Sequence, residues 1–517
     1  MQSRTGACHR WRRNGLALLA AVLVAVSNGS VPTPSHYGLI SPGAAEAAVV
    51  GQAARVAPTP AQLAWQEREF IAFAHFGMNT FTDVEWGTGR EDPALFDPTD
   101  FDARQWARVI RDAGMRLLIL TAKHHDGFCL WPTATTAHSV RSSPWRGGRG
   151  DVVGEVAAAC REAGLAFGVY VSPWDRHEPS YGDSPRYNAF FRTQLRELLT
   201  RYGEIAEVWF DGACGEGPDG RRQEYDWPSY YAVVRELQPR AVIFGMGPDV
   251  RWVGTETGVG RETEWSVIPD RLDIDRLAGA ATHPVDAAFI PGDLTDIDLG
   301  SRARLRAAAS LLWYPAEADV SIRPGWFHHP AEDTRVKTPA ELLDIYFSSV
   351  GRNAVLLVNV PPDRRGRIHD ADTRSLQELR RLLDGTFRDN RLAGAVASAP
   401  AAAGHGAGNV LDTDPATYWS PPEDAPAYVL EFELPAACTF DVAMVREHIR
   451  LGQRVESFRF EWRDDGDSWR EFARGTTVGY QRLLRFPPVT ARAVRLVIES
   501  SRTRPALSAV GLYALAK

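Results

Sequence analysis

Short, apolar runs rich in β-branched residues recur between residues 73 and 360: Phe73 to Phe76, Leu117 to Ala122, Phe167 to Ser172, Glu207 to Asp211, Val242 to Met246 and Val355 to Val360. A strand that is apolar throughout, rather than alternating, is buried on both faces, and such strands belong to parallel sheets covered by helices. Helical patterns fall between several of the runs. Phe101 to Ala113 carries Phe101, Trp106, Val109 and Ile110 on one side and stops at Gly114. Val152 to Ala163 stops at Gly164, and Leu342 to Val350 precedes Gly351. Glycine suits the left-handed residue that closes a helix. Repeated strand–helix units over roughly 300 residues predict an α/β fold, a (β/α)8-like TIM barrel, with a doubly wound open sheet as the alternative. The stretch from 265 to 340 is irregular and yields no clean strand.

The flanks read differently. Residues 1–47 form a leader: Arg10, Arg12 and Arg13 precede an apolar run, Leu16 to Val26, that is short for a membrane span. Arg12-Arg13 resembles a twin-arginine signal. Ala45-Glu46-Ala47 is a small-x-small cleavage candidate, and Ser27 to Ser30 is its rival. Either cut predicts an exported protein with no membrane attachment. Residues 48–64 read as a linker, 65–388 as the barrel and 389–517 as a second domain. That last region holds alternating segments, Tyr428 to Phe432, Ser457 to Trp462 and Ala493 to Ile498, which predict a C-terminal antiparallel β-sandwich. A net charge of −7 argues against a nucleic-acid partner, since a phosphate backbone needs a basic face. Cys8, Cys129, Cys160, Cys214 and Cys438 are widely spaced, which supports no zinc site of the C-x-x-C kind.

In a parallel barrel, chemistry gathers where strands end at the C-terminal face. Four polar clusters stand at predicted strand ends: Ala74 to Asn79, Lys123 to Phe128, Tyr170 to Asp175 and Val208 to Gly212. Asp211 follows an apolar run and precedes Gly212, a placement suited either to a nucleophile on a rigid element or to a loop cap. His124 and His125 admit three readings: metal ligand, sugar contact or structural residue. Adjacent strand residues point to opposite faces and no H-E-x-x-H accompanies them, which counts against metal. Glu256, in a glycine-flanked loop, suits a general acid, with Glu262, Glu264 and Glu317 as competitors.

The runs HFGMNTFTDVEWGTG (75–89), LTAKHHDGFCLWP (120–132), VSPWDRH (171–177) and VWFDGACGEG (208–217) closely resemble family 29 of the glycoside hydrolases, the α-L-fucosidases. RWVGTETG (251–258) and SIRPGWFHH (321–329) resemble the subgroup that acts on α-1,3/1,4-linked fucose. The resemblance implies Asp211 as nucleophile and Glu256 as acid/base. It implies sugar contacts at His75, Trp86, His124, His125, Tyr170 and Trp326, with Glu85 as an addition. Thr255 and Cys214 stand where the family more often has Asn. VLDTDPATYWS (410–420) resembles the discoidin-like, coagulation factor 5/8 type C module, which sometimes holds a structural calcium; here that would fall near Asp412 and Asp414. The implied activity is retaining hydrolysis of terminal α-L-fucose from fucosylated oligosaccharides or glycoconjugates, with no cofactor and no catalytic metal. A metal-dependent hydrolase built on His75, His124 and His125, and a non-catalytic glycan-binding protein, are the rivals.

Overall fold

A computed structural model describes residues 35–245, 247–269, 296–412, 414–463 and 468–517. The leader's arginines and apolar run, Cys8, the Ser27 to Ser30 cut and Met246, the expected end of one strand, lie outside the described residues. Eight parallel strands form the central sheet: β2 (Phe70–Ala74), β3 (Leu117–Lys123), β4 (Ala166–Val171), β5 (Glu207–Phe210), β6 (Val242–Gly245), β7 (Arg251–Trp252), β10 (Ala316–Ser321) and β11 (Ala354–Asn359). Their order is β6-β5-β4-β3-β2-β11-β10-β7, and a parallel bridge between Phe244 and Val250 draws the two end strands together. This near-closure makes the sheet a barrel and removes the open doubly wound alternative.

All six expected strands are present, shifted by a residue or a few at their ends. Two additional strands were not anticipated, one of them, β10, within the irregular segment. β7 is two residues long, and β10 reads Ala-Glu-Ala-Asp-Val-Ser, so neither shows an apolar run. Strand side chains alternate between faces. Ala72, Ala74, Leu118, Leu120, Val208, Phe210, Leu356 and Val358 face the helical layer, where they meet Trp106, Ile110, Val156, Leu195 and Val234. Ile71, Phe73, Leu117, Ile119, Tyr170, Val355 and Leu357 fill the barrel with Trp65 and Trp209. Glu207 and Trp209 share this inward parity, which Asp211 continues just past the end of β5. The helix Val152–Ala163 ends on Gly164 at φ +74°, the left-handed closure expected of it.

The stretch read as a linker is folded. Helices Glu46–Ala53 and Pro60–Gln66 occupy most of it, with Val49, Val50, Ala53 and Trp65 buried. Thr59 and Gln62 form a reciprocal capping box, a start signal that the Ala/Pro-rich composition masked. A small antiparallel sheet, β1 (Tyr37–Leu39), β9 (Ser310–Trp313) and β8 (Val267–Pro269), packs beside these helices through Val267, Leu311 and Trp313.

The C-terminal domain is an antiparallel sheet of β12 (Val396–Ser398), β13 (Tyr428–Glu447), β14 (Val455–Arg463), β15 (Arg470–Gly475), β16 (Arg482–Ser501) and β17 (Leu507–Tyr513) around Trp419, Leu430, Phe432, Phe458 and Leu496. It is joined to the barrel by buried and charged contacts. Tyr513 packs edge-on against Phe387 at 5.2 Å, and Glu69 accepts from Arg446 at 2.6 Å and Tyr480 at 3.0 Å. The four described cysteines are free thiols. Near the expected calcium position, Asp412 accepts from the Asp414 amide and Thr417 Oγ1, closing a turn on itself.

Candidate active site

The mouth of the barrel is built by loops that follow β2, β3, β4, β5, β7 and β10. Every sequence-expected site residue lies in them or, for Tyr170, within β4. Asp211 stands one residue past β5, a quarter exposed. Its Oδ2 accepts from the Tyr170 hydroxyl at 2.9 Å and its Oδ1 from the Ala213 amide at 2.7 Å. Burial, with the Asp211 charge beside it, pushes the Tyr170 hydroxyl far above its ordinary value, so it stays a donor. Glu256 is exposed at the opposite rim, where Trp326 Nε1 donates to its Oε2 at 3.3 Å. Desolvation by the surrounding loops, then the charges of Asp211 and Glu85, push the Glu256 carboxyl above the usual range against that single donor. Aromatic contacts span the two carboxyls. Tyr170 meets His75 at 6.0 Å between ring centres, and His75 meets Trp326 at 5.1 Å.

The three histidines are buried, and each has its Nδ1 bonded to protein. Asn359 Nδ2 donates to Ser321 Oγ and to the Trp326 carbonyl, so its Oδ1 is the acceptor for His75 Nδ1 at 2.9 Å. That bond puts the proton on Nδ1. Asn79 Nδ2, which also donates to the Glu85 carbonyl, faces His124 Nδ1 at 3.3 Å and leaves the proton on Nε2. Ser172 donates to the Trp174 carbonyl and accepts from His125 Nδ1 at 2.7 Å. Burial holds all three below the ordinary imidazole value, His75 at about 3, so they are neutral hydrogen-bonding groups. His125 Nε2 lies 3.9 Å from Asp211. Among the described residues no group of three or more His, Cys, Asp or Glu side chains is placed to hold a metal ion.

Trp86 is 38% exposed and packs edge-on against His125 at 5.5 Å and Trp174 at 5.6 Å. Glu85 is turned toward protein. Its carboxylate accepts from the Trp326 amide at 2.9 Å, the Phe327 amide at 3.2 Å and His329 at 2.7 Å. The competing glutamates are engaged elsewhere. Glu264 pairs with Arg251 and Arg261, Glu262 with Arg352 and Arg482, and Glu317 lies sealed inside the barrel. Sequence reasoning placed Asn79, Ser172 and Trp174 in the strand-end clusters without giving them a part, and missed Asn359; these groups orient the histidines and the rim. Asn359 carried the same signal as Asp211, a polar residue at the end of an apolar strand.

Two carboxyls thus face one aromatic-lined mouth, one taking two donors and one raised above the usual carboxylate range. The α-L-fucosidase family model matches residues 35–385, and the F5/8 type C domain model matches 394–510. Alpha-L-fucosidase 1 of Arabidopsis thaliana is 44% identical over 464 residues, 88% of this chain and 87% of its own. A Ruminococcus gnavus GH29 fucosidase solved with fucose superposes at TM-score 0.78 with 32% identity, covering 89% of this chain and 95% of that one. A glycoside hydrolase 29 family member from a rumen bacterium gives TM-score 0.74 and 38% identity, over 89% and 78%. The chain belongs to glycoside hydrolase family 29 and is an α-L-fucosidase, an enzyme that hydrolyses terminal fucose.

Proposed function

We propose that this enzyme works by retaining double displacement, with Asp211 as nucleophile and Glu256 as acid/base, on α-1,3/1,4-linked fucose of Lewis-type glycans. The observation that carries the roles is the contrast between the two carboxyls. Asp211 takes two donors on a strand end, whereas Glu256 takes one and is pushed upward by desolvation first and then by the Asp211 charge. Asp211 attacks the anomeric carbon while Glu256 gives its proton to the departing oxygen. Glu256 then deprotonates the water that releases fucose. His75, with Nε2 unprotonated, accepts from a sugar hydroxyl, and His124 Nε2–H donates to one. Trp326 and Trp86 pack on the ring and its C6 methyl, a contact worth about 1–3 kcal/mol. The linkage reading rests on the RWVGTETG segment, which puts Glu256 four residues past β7.

Asp211→Ala is expected to lower turnover by several orders of magnitude, with partial recovery in azide and a fucosyl azide product of inverted anomeric configuration. Wild-type turnover in that variant removes the assignment. Faster release of fucose from α-1,2-fucosyllactose than from Lewis-type trisaccharides removes the linkage reading. We also propose export through the twin-arginine-like leader, with cleavage near Ser27 to Ser30. A cut after Ala47 would delete β1 and the Glu46 partner of Arg306. N-terminal sequencing of the exported protein decides between the two cuts.

A further inference from the structure

The loop that delivers Trp326 to Glu256 is held by an arrangement with no part in the scheme above. His329 lies between two carboxylates: Nδ1 is 2.8 Å from Asp83 Oδ1 and Nε2 is 2.7 Å from Glu85 Oε1. A neutral imidazole has one N–H and a carboxylate has none, so both bonds can form together only on an imidazolium. Asp83 reaches its position from a left-handed backbone, φ +61°, which a non-glycine residue adopts at a cost. Glu85 also accepts from the amides of Trp326 and Phe327. Gly325 completes the fit, because a Cβ there would strike Glu85 Oε1.

We propose that His329 is a positioning residue, held as an imidazolium between Asp83 and Glu85, which fixes the loop that aims Trp326 at Glu256 and offsets the Glu85 charge there. The proposal rests on Glu256 as acid/base. The charged groups facing His329 are Asp83, Glu85 and Glu332, all acidic. Partial burial alone would lower the imidazole value; the bonds to Asp83 and Glu85 and the charges of Glu85 and Glu332 more than reverse that and raise it. The Glu85 charge pushes the Glu256 carboxyl upward, and a cation on His329, bonded to Glu85, would offset that charge. Removing the cation therefore has a directional consequence. Glu256 rises further, and the basic limb of kcat/KM moves to higher pH, while the looser loop lowers the rate.

The test is His329→Gln in the full-length enzyme, assayed across pH on a fucosylated oligosaccharide whose leaving group needs the Glu256 proton, beside NMR titration of ring-labelled histidine. The expected result is a fall in kcat/KM of about tenfold to a hundredfold with the basic limb displaced upward by roughly half a pH unit. In the wild type one imidazolium signal, absent from the variant, should persist well above the ordinary midpoint of about 6.5. Asp83→Asn keeps the shape and removes one charge, so it should bring that midpoint down and serves if His329→Gln fails to fold. A signal for His329 that titrates at or below the ordinary value, or a uniform loss of rate with the basic limb unmoved, overturns the proposal. Failure of Glu256→Gln to lower turnover would sink the acid/base reading instead, while leaving the imidazolium titration intact.

Discussion

The interior of the barrel and its mouth hold the same chemical parts in different settings. Inside, Glu207, Glu317 and Asp319 are wholly or almost wholly buried, and each carboxyl receives one indole N–H: from Trp65 at 2.8 Å, Trp209 at 3.0 Å and Trp252 at 2.8 Å. At the mouth, Glu256 receives the Trp326 indole in the same manner. Burial pushes all three interior acids up, Glu207 to about 7, so that the column retains protons to higher pH than free carboxyls do. The mouth pair meets solvent and, in the bound state, the sugar. The carboxyl–indole pair is thus a general device of this barrel. What would suit it to the proposed acid/base role at Glu256 is access, together with Asp211 nearby.

The comparison can be broken at four points. Glu256→Gln should lower turnover of a natural oligosaccharide by about 10²–10⁴-fold, and much less for an aryl fucoside whose leaving group needs no proton. The same variant should lose the basic limb of the pH profile. Equal losses on both substrates would take Glu256 out of proton transfer.

Trp252→Phe removes the indole donor to Asp319 and leaves a buried oxygen without its partner, at a cost of about 1–3 kcal/mol of stability measurable in denaturant. A variant as stable as wild type would mean that the interior indoles merely fill space.

The interior column also predicts how stability responds to pH. A carboxyl whose value is raised by folding holds a proton that the unfolded chain has released. Its stabilising contribution is complete below the unfolded value, 4.5 for Glu207, and is lost as pH rises through about 7. Glu207→Gln should flatten this decline. An unchanged slope would show that the column does not bind the extra protons. The smallest expected effect is that of Asp319→Asn on catalysis. If Asp319 already works as a neutral acid, kcat should change by less than about threefold, and a large loss would place it in the mouth's chemistry.

Much of this was readable from the chain. The strands that announce themselves are those with apolar residues on both faces, as in Leu117 to Lys123. β10 was hidden because its inward positions are Glu317 and Asp319, acids that no apolar pattern anticipates. The small sheet was hidden for another reason: β1 and β9 are separated by some 270 residues, and neither announces its partner. The place of Asp211, Tyr170 and the histidines at the mouth was legible because they fall at or beside barrel strand ends, whereas the pattern left their roles open and only the family resemblance assigned them. The role of Glu85 was not legible, since whether a carboxylate faces substrate or a neighbouring loop depends on where Trp326 and His329 come to lie.

The central claim is that Asp211 bonds to the sugar during turnover. Incubation with 2-fluoro-fucosyl fluoride, a substrate that slows breakdown of such an intermediate, followed by peptide mass spectrometry, tests it directly. The account predicts a single fucosyl-type adduct on Asp211 in the enzyme with Glu256 intact. An adduct on another residue would contradict it, as would an enzyme that turns over the reagent with inversion and carries none.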